Sequence, residues 1–128
     1  MITGLNHYNI RTDLTTMNRL GKFYIDIVGL KDGYRPPYES KGYWLYSGKK
    51  DVLHLAVTKK NETKDHCLGC SFDHAAFSAK NYSKTINHLK KNNIDFYCRE
   101  VPLLGNKQIF FKDPVGNGIE FFFLKRNQ

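Results

Sequence analysis

Asn117-Gly118-Ile119-Glu120-Phe121-Phe122-Phe123 sets one carboxylate inside an apolar strand, and the rest of the chain is read from there. Burying a carboxylate costs several kcal/mol unless it is paired or holds a cation. Strand residues alternate faces, so Gly118, Glu120 and Phe122 share one face, while Ile119, Phe121 and Phe123 share the other. The ordinary reading puts Glu120 on a solvated face. Phe122 on that same face argues against it, and a partner for Glu120 is therefore expected.

Comparing the chain with itself supplies one. Leu5-Asn6-His7-Tyr8-Asn9-Ile10 resembles Phe72-Asp73-His74-Ala75-Ala76-Phe77. His54 follows His7 by 47 residues, and Glu120 follows His74 by 46. The order of elements between them also matches. The sequence thus predicts two similar halves, each with a ligand-type residue on its first and last strands: His7 and His54, then His74 and Glu120.

At 128 residues the chain is expected to form a single domain, 1–128, with a first module at about 1–58, a linker at 59–69 and a second module at about 70–125. The first residues carry neither an apolar run nor a basic leader. No stretch approaches the roughly 20 apolar residues of a membrane span. A cytoplasmic location is expected, with no membrane partner. Three cysteines, an odd number, argue against a disulfide framework. The net charge of +8 reads as solubility and attraction to anions. Lys and Arg are spread along the chain and no recognition motif appears, so nucleic acid is not an expected partner.

In order, residues 3–10 read as a first strand, with Leu5, His7 and Asn9 on one face. Asp13 or Thr15 can cap a helix starting near Thr16, whose stripe Met17, Leu20, Phe23, Tyr24 and Ile27 ends at a left-handed Gly29. Strands are predicted at 30–35, 42–46 and 51–57. The second half repeats this: a strand at 71–77, a helix from Tyr82 capped by Asn81 with Tyr82, Ile86 and Leu89 inward, and strands at 94–100, 107–111 and 117–123.

Two imidazoles and a carboxylate suit a divalent transition metal with open coordination positions. His7, His74 and Glu120 meet that description. His54 is either a fourth ligand or a nearby acid/base group, since its ordinary pKa is close to working pH. Any one of these histidines alone reads as an ordinary strand residue; the matched positions of all four residues favour metal. The pair Cys67 and Cys70, after His66, has the spacing of half a zinc or redox site but no second pair, and reads as coincidence. Gly116-Asn117-Gly118 lies between strands, so it is no phosphate loop.

At these residues the sequence resembles the vicinal oxygen chelate superfamily, which includes glyoxalases, bleomycin-binding proteins and extradiol dioxygenases. The resemblance rests on Gly4-Leu5-Asn6-His7, Phe23-Tyr24-x-Asp26-x-Val28-Gly29-Leu30, Asp73-His74-x-Ala76-Phe77 and Asp113-Pro114-x-Gly116-x-x-Ile119-Glu120. It implies an α+β fold of paired βαβββ modules forming a cup-shaped mixed sheet around a metal. It implies one divalent ion, Fe2+ ahead of Zn2+, Mn2+ or Ni2+, at His7, His74 and Glu120. Glyoxalase-like members use a ligand where His54 stands; in extradiol dioxygenases a His there resembles the catalytic acid/base. The implied function is a metal-dependent reaction on a small substrate with neighbouring oxygens, dioxygenase-like first, with glyoxalase, lyase or isomerase activity second and non-catalytic ligand binding third. Bleomycin-type binders lack the ligands, so their presence argues for an enzyme. Arg11, Arg35, Tyr43, Tyr46, Arg99 and Gln108 are candidate substrate-binding residues, and a homodimer is expected because two modules leave sheet edges to cover.

Overall fold

A computed structural model of the chain describes residue 1, residues 3–60 and residues 72–128. The expected linker lies outside the described residues from position 61 on, as do His66, Cys67 and Cys70. The chain forms two compact units of the same design.

The first unit runs β1 (Tyr8–Thr12), α1 (Leu14–Phe23), a wide helical turn (Tyr24–Val28), β2 (Lys31–Asp32), β3 (Gly42–Ser47) and β4 (Lys50–Val57). Its sheet order is β1-β4-β3-β2, with β1 parallel to β4 and the other pairs antiparallel. The second runs β5 (His74–Ser78), α2 (Tyr82–Lys91), β6 (Phe96–Glu100), β7 (Lys107–Lys112) and β8 (Gly118–Phe123), in the order β5-β8-β7-β6 with the same sense of pairing. These are the two βαβββ modules of an α+β fold. The registers match as well. Asn9 lies opposite His54, and Ala76 lies opposite Glu120, so each candidate first-strand histidine sits two residues before its partner's level.

The helix face of each sheet is core. In the first unit Leu45, Leu53 and Leu55 lie buried with Met17, Leu20 and Tyr24 of the helix and its extension. In the second, Ile109, Phe111, Ile119, Phe121 and Phe123 are buried with Leu89, and the Tyr82 ring meets Phe123 edge-on at 5.2 Å. Each buried side chain of this size stabilises the fold by about 1.5–3 kcal/mol before entropy is counted.

Local differences from the sequence reading have physical causes. Asp13 is the cap, its Oδ1 accepting from Thr16 N at 2.9 Å, so α1 begins at Leu14, two residues early. The strand expected at 3–10 is instead Tyr8–Thr12: its ladder with β4 starts at Tyr8↔Leu53, just past the irregularity of β4 at Val52, and before it Lys50 Nζ reaches Leu5 O at 2.7 Å. The helix widens over Tyr24–Val28, where the N–H groups of Gly29 and Leu30 both reach Tyr24 O; Gly29 has φ 89°, as its left-handed role requires. The strand expected at 30–35 is reduced to Lys31–Asp32, with the Gly33 N–H still reaching Trp44 O at 3.2 Å before Pro36-Pro37. Asn81 precedes α2 with φ 61° and makes no side-chain cap: its left-handed backbone turns the chain instead.

Candidate functional site

The face of each sheet away from its helix carries His54 in the first unit and His74 and Glu120 in the second. In the second unit Glu120 is 5 % exposed and has two partners. Gln108 Nε2 donates to its Oε1 at 2.7 Å, and His74 Nε2 lies 2.9 Å from its Oε2. The other ring nitrogen of His74, Nδ1, donates to Asp73 Oδ2 at 2.6 Å. The Asp73 hydrogen bond, helped by the charge of Glu120, holds the His74 imidazole above the ordinary histidine range, against the opposing effect of burial.

That arrangement has a consequence for what belongs between the two groups. A neutral imidazole donates through one nitrogen and accepts through the other. Donation from Nδ1 to Asp73 leaves a lone pair on Nε2, facing a carboxylate. Two acceptors 2.9 Å apart in a buried place need a cation between them, either a proton or a metal ion. The preceding-residue device recurs in the first unit, where His7 Nδ1 donates to Asn6 Oδ1 at 2.7 Å and leaves Nε2 unengaged by that bond. Metal-ligating histidines are ordinarily fixed this way, by a hydrogen bond on the other ring nitrogen. Within the second unit, the donor pair of His74 and Glu120 fits a divalent metal on this ground.

Gly118 permits the approach of β5. A Cβ built there would lie 2.0 Å from Asp73 O and 2.9 Å from His74 Cβ. The turn leading into β8 is fixed by Asp113, whose Oδ1 accepts from the N–H groups of Val115 and Asn117 and whose Oδ2 accepts from Asn117 Nδ2. The Asp113-Pro114-x-Gly116 segment thus sets the start of the strand that carries Glu120.

In the first unit His54 is the centre of a three-ring stack. The His7 ring lies 3.7 Å from it at 20°, and the Trp44 ring 4.0 Å at 5°. Its Nε2 lies 2.6 Å from Asp51 Oδ2. This bond from His54 lowers the Asp51 carboxyl below the ordinary range. Asp51 was not among the residues expected from the sequence. Strict alternation from His54 would put Asp51 on the helix face with Leu53. The register instead steps from Leu45↔Leu53 to Tyr46↔Asp51, leaving Val52 as the extra residue of a β-bulge. A bulge re-aims the side chains beyond it, and here it brings Asp51 to His54. Ligand atoms of His7, Asp51 and His54 all lie within 4.8 Å of one another, a second group able to hold a metal.

The remaining candidates are dispersed. Gln108 supports Glu120 directly. Arg99 lies over the Tyr97 ring at 5.3 Å and over Phe110 at 5.8 Å, and Phe110 faces Glu120 in the ladder. Arg11 is level with Ala56, two places beyond His54. Arg35 donates through Nη1 to Ser40 O at 2.9 Å and covers the Tyr38 ring at 4.9 Å. Tyr46 donates to Tyr34 O at 2.6 Å and is opposite Asp51. Tyr43 points to the helix face, its ring against Gly21 and its hydroxyl donating to Asn18 Oδ1 at 2.9 Å, so it stands apart from His54.

The fold defined by these units is that of the glyoxalase, bleomycin resistance and dioxygenase proteins. A Bacillus anthracis protein named for the glyoxalase family is similar over 98 % of this chain and 98 % of its own, with a TM-score of 0.74 at 20 % identity. A glyoxylase/bleomycin resistance protein/dioxygenase domain from Frankia sp. is similar over 100 % of this chain and 96 % of its own, with a TM-score of 0.71 at 15 % identity. A variant of the fosfomycin resistance protein FosX from Listeria monocytogenes, complexed with Mn(II) and a dihydroxypropylphosphonic acid, is similar over 94 % and 92 %, with a TM-score of 0.63 at 17 % identity. No family model matches the sequence, and no curated protein does. No helix among the described residues is long and apolar enough to cross a membrane.

Proposed function

We propose that the protein is a metal-dependent enzyme of the vicinal oxygen chelate superfamily, acting on a small substrate through neighbouring oxygens in the manner of an extradiol dioxygenase. His7, His74 and Glu120 hold one divalent ion, Fe2+ first among Zn2+, Mn2+ and Ni2+. The observation that carries this reading is the pair His74 and Glu120: two groups facing each other at 2.9 Å, with His74 Nδ1 already committed to Asp73. Bound there, a divalent ion supplies Lewis acidity and a template for two substrate oxygens. Asp73 and Asn6 fix the ring planes of the two histidines. Gln108 keeps Glu120 oriented. His54 serves as the proton-moving group, because its Nε2 is engaged by Asp51 and its ring is clamped between His7 and Trp44.

A second reading, a glyoxalase or isomerase with His54 as a further ligand, is favoured by one observation. The ligand atoms of His54 lie within 4.8 Å of those of His7 and Asp51. The enzyme is proposed to be cytoplasmic and a homodimer, and a monomeric mass in solution at micromolar concentration would refute the latter.

Elemental analysis of protein purified without chelator tests the whole. About one equivalent of metal per chain is expected, lost in Glu120→Ala and kept in His54→Ala. Loss in His54→Ala as well moves the reading to the glyoxalase type. A full equivalent retained by Glu120→Ala removes the ligand assignment, and a metal-free wild type leaves a small-ligand binder.

A further inference from the structure

In each unit the candidate ligands stand beside a row of aromatic rings that ends in an arginine. In the second unit the row is Phe110 and Tyr97, stacked at 5.0 Å and 13°, with the Arg99 guanidinium over both. Phe110 also meets the His74 ring edge-on at 5.5 Å. In the first unit Trp44 lies against His54, Tyr38 lies 6.2 Å from Trp44, and Arg35 lies over Tyr38. By register Trp44 faces His54 as Phe110 faces Glu120. The outer members are not equivalent in the repeat. Tyr97 and Arg99 belong to β6, whereas Tyr38 and Arg35 come from the segment between β2 and β3. The same chemistry is therefore assembled twice from different parts of the chain.

Core packing does not account for these rows. Tyr97 is 53 % exposed and Tyr38 56 % exposed. Arg35 Nε is buried and has no hydrogen-bond partner among the described residues, although its Nη groups reach Ser40. A buried guanidinium N–H without an acceptor is costly, and an anion that accepts from it removes the cost. A cavity of about 560 Å³ touches His74, Phe110 and Tyr97, with Lys112, Asp73 and Asp95 also on its wall. Asp73 is already bonded to His74. That volume suits a small ring compound.

We infer that the two rows recognise a flat, conjugated anion, of which an aromatic carboxylate is the simplest member. The ring joins the aromatic row, where offset or edge-on contacts are favourable. The carboxylate meets the guanidinium in a charge-assisted, two-point hydrogen bond. A saturated carboxylate gains only the second contact, and a neutral ring only the first. This narrows the substrate class of the preceding section, and it depends on that reading only in treating the ligand as a substrate.

The test uses the full chain, isotopically labelled and freed of metal by chelator, so it does not depend on whether a metal site exists. Amide and indole shifts are followed on titration with benzoate, cyclohexanecarboxylate and benzyl alcohol. Benzoate is expected to give saturable shifts at Tyr97, Arg99, Phe110 and Trp44, with the other two probes at least about tenfold weaker. Arg99→Gln is expected to weaken benzoate about tenfold at the β6 row, Arg35→Gln to do so at Trp44, and both to leave benzyl alcohol unchanged. The spectra themselves report whether each variant is folded. Equal binding of all three probes, unchanged benzoate affinity in both variants, or shifts confined to other residues would overturn the proposal. Shifts at Tyr97 and Arg99 that follow protein concentration rather than benzoate would make the face a self-association surface and overturn it too.

Discussion

Replacing Gly118 by alanine tests whether β5 sits against β8 as closely as the His74 site requires. The added Cβ would lie 2.0 Å from Asp73 O, 3.1 Å from Asp73 C and 2.9 Å from His74 Cβ. Two of these three atoms are backbone, so no side-chain rotation relieves the clash. Non-bonded carbon and oxygen atoms settle at well over 3 Å, which forces β5 outward by about 1 Å at this point. Overpacking of this kind costs about 1–3 kcal/mol. A strained or lost ladder bond adds about 0.5–1.5 kcal/mol. The sum, about 1.5–4.5 kcal/mol, is a large part of the ~5–15 kcal/mol of a typical domain, yet leaves the variant folded. The same displacement carries His74 Nε2 beyond bonding distance of Glu120, now 2.9 Å away. Gly116→Ala is the matched control. Gly116 has φ 91° and nothing within 4 Å of a built Cβ, so alanine there meets backbone strain alone, about 1–2 kcal/mol, with β5 undisturbed. Urea unfolding of both variants, with the amide shifts of Ala75, Ala76 and Phe77, separates the two effects. Gly118→Ala should lose more stability than Gly116→Ala and should alone move those amides. A Gly118→Ala protein with wild-type stability and unmoved β5 amides would refute the register from which the site is built.

Leu89→Ala, at a position with no exposure, should cost about 2–5 kcal/mol in urea unfolding; a cost near zero would mean that α2 does not cover its sheet. The Asp13 carboxyl is held below its ordinary value of 3.8, first by the Thr16 backbone N–H and then by the Thr16 hydroxyl. A depressed folded value means that this stabilisation is present above pH 3.8 and disappears as pH falls through the lower folded value. The stability gap between wild type and Asp13→Ala should therefore close as pH falls from 5 to 2, and a gap independent of pH would exclude a charged cap. If His54 moves the proton, Fe2+-loaded His54→Ala should keep its metal and take up oxygen with a catechol roughly 10²–10⁴-fold more slowly than wild type. No oxygen uptake by the wild type with any of several catechols, alongside activity on a hemithioacetal, would establish the glyoxalase reading instead.

Local periodicities carried most of the fold. The two-residue alternation of Ile119, Phe121 and Phe123 marked a strand with one buried face, and all three are buried against the helix side. The three-to-four spacing of Met17, Leu20 and Tyr24 marked α1, and Gly29 marked its end, because a left-handed cap is a property of one residue's backbone. The duplication was legible for the same reason: His7 to His54 and His74 to Glu120 keep nearly the same separation, and equal chain lengths through equal elements give the matching register.

Other features depended on how strands meet. Glu120 could be read as a buried acid wanting a partner, but that Gln108 supplies one of its two partners follows only from β7 lying beside β8. Tyr43 looked like a pocket residue by composition, and its turn toward Asn18 and Gly21 became visible only once β3 was packed on α1. Asp51 is the clearest case. Period-two alternation assigns it to the face opposite His54, and nothing in Lys50-Asp51-Val52-Leu53-His54 signals otherwise. A single unpaired residue, Val52, reverses the assignment and delivers a carboxylate to the imidazole at 2.6 Å. The sequence by itself determined the two modules, their helices and the residue types that could bind a cation. The tertiary structure alone decided which oxygen meets which nitrogen, because a bulge is set by the partner strand's hydrogen-bond ladder and not by the residues that form it.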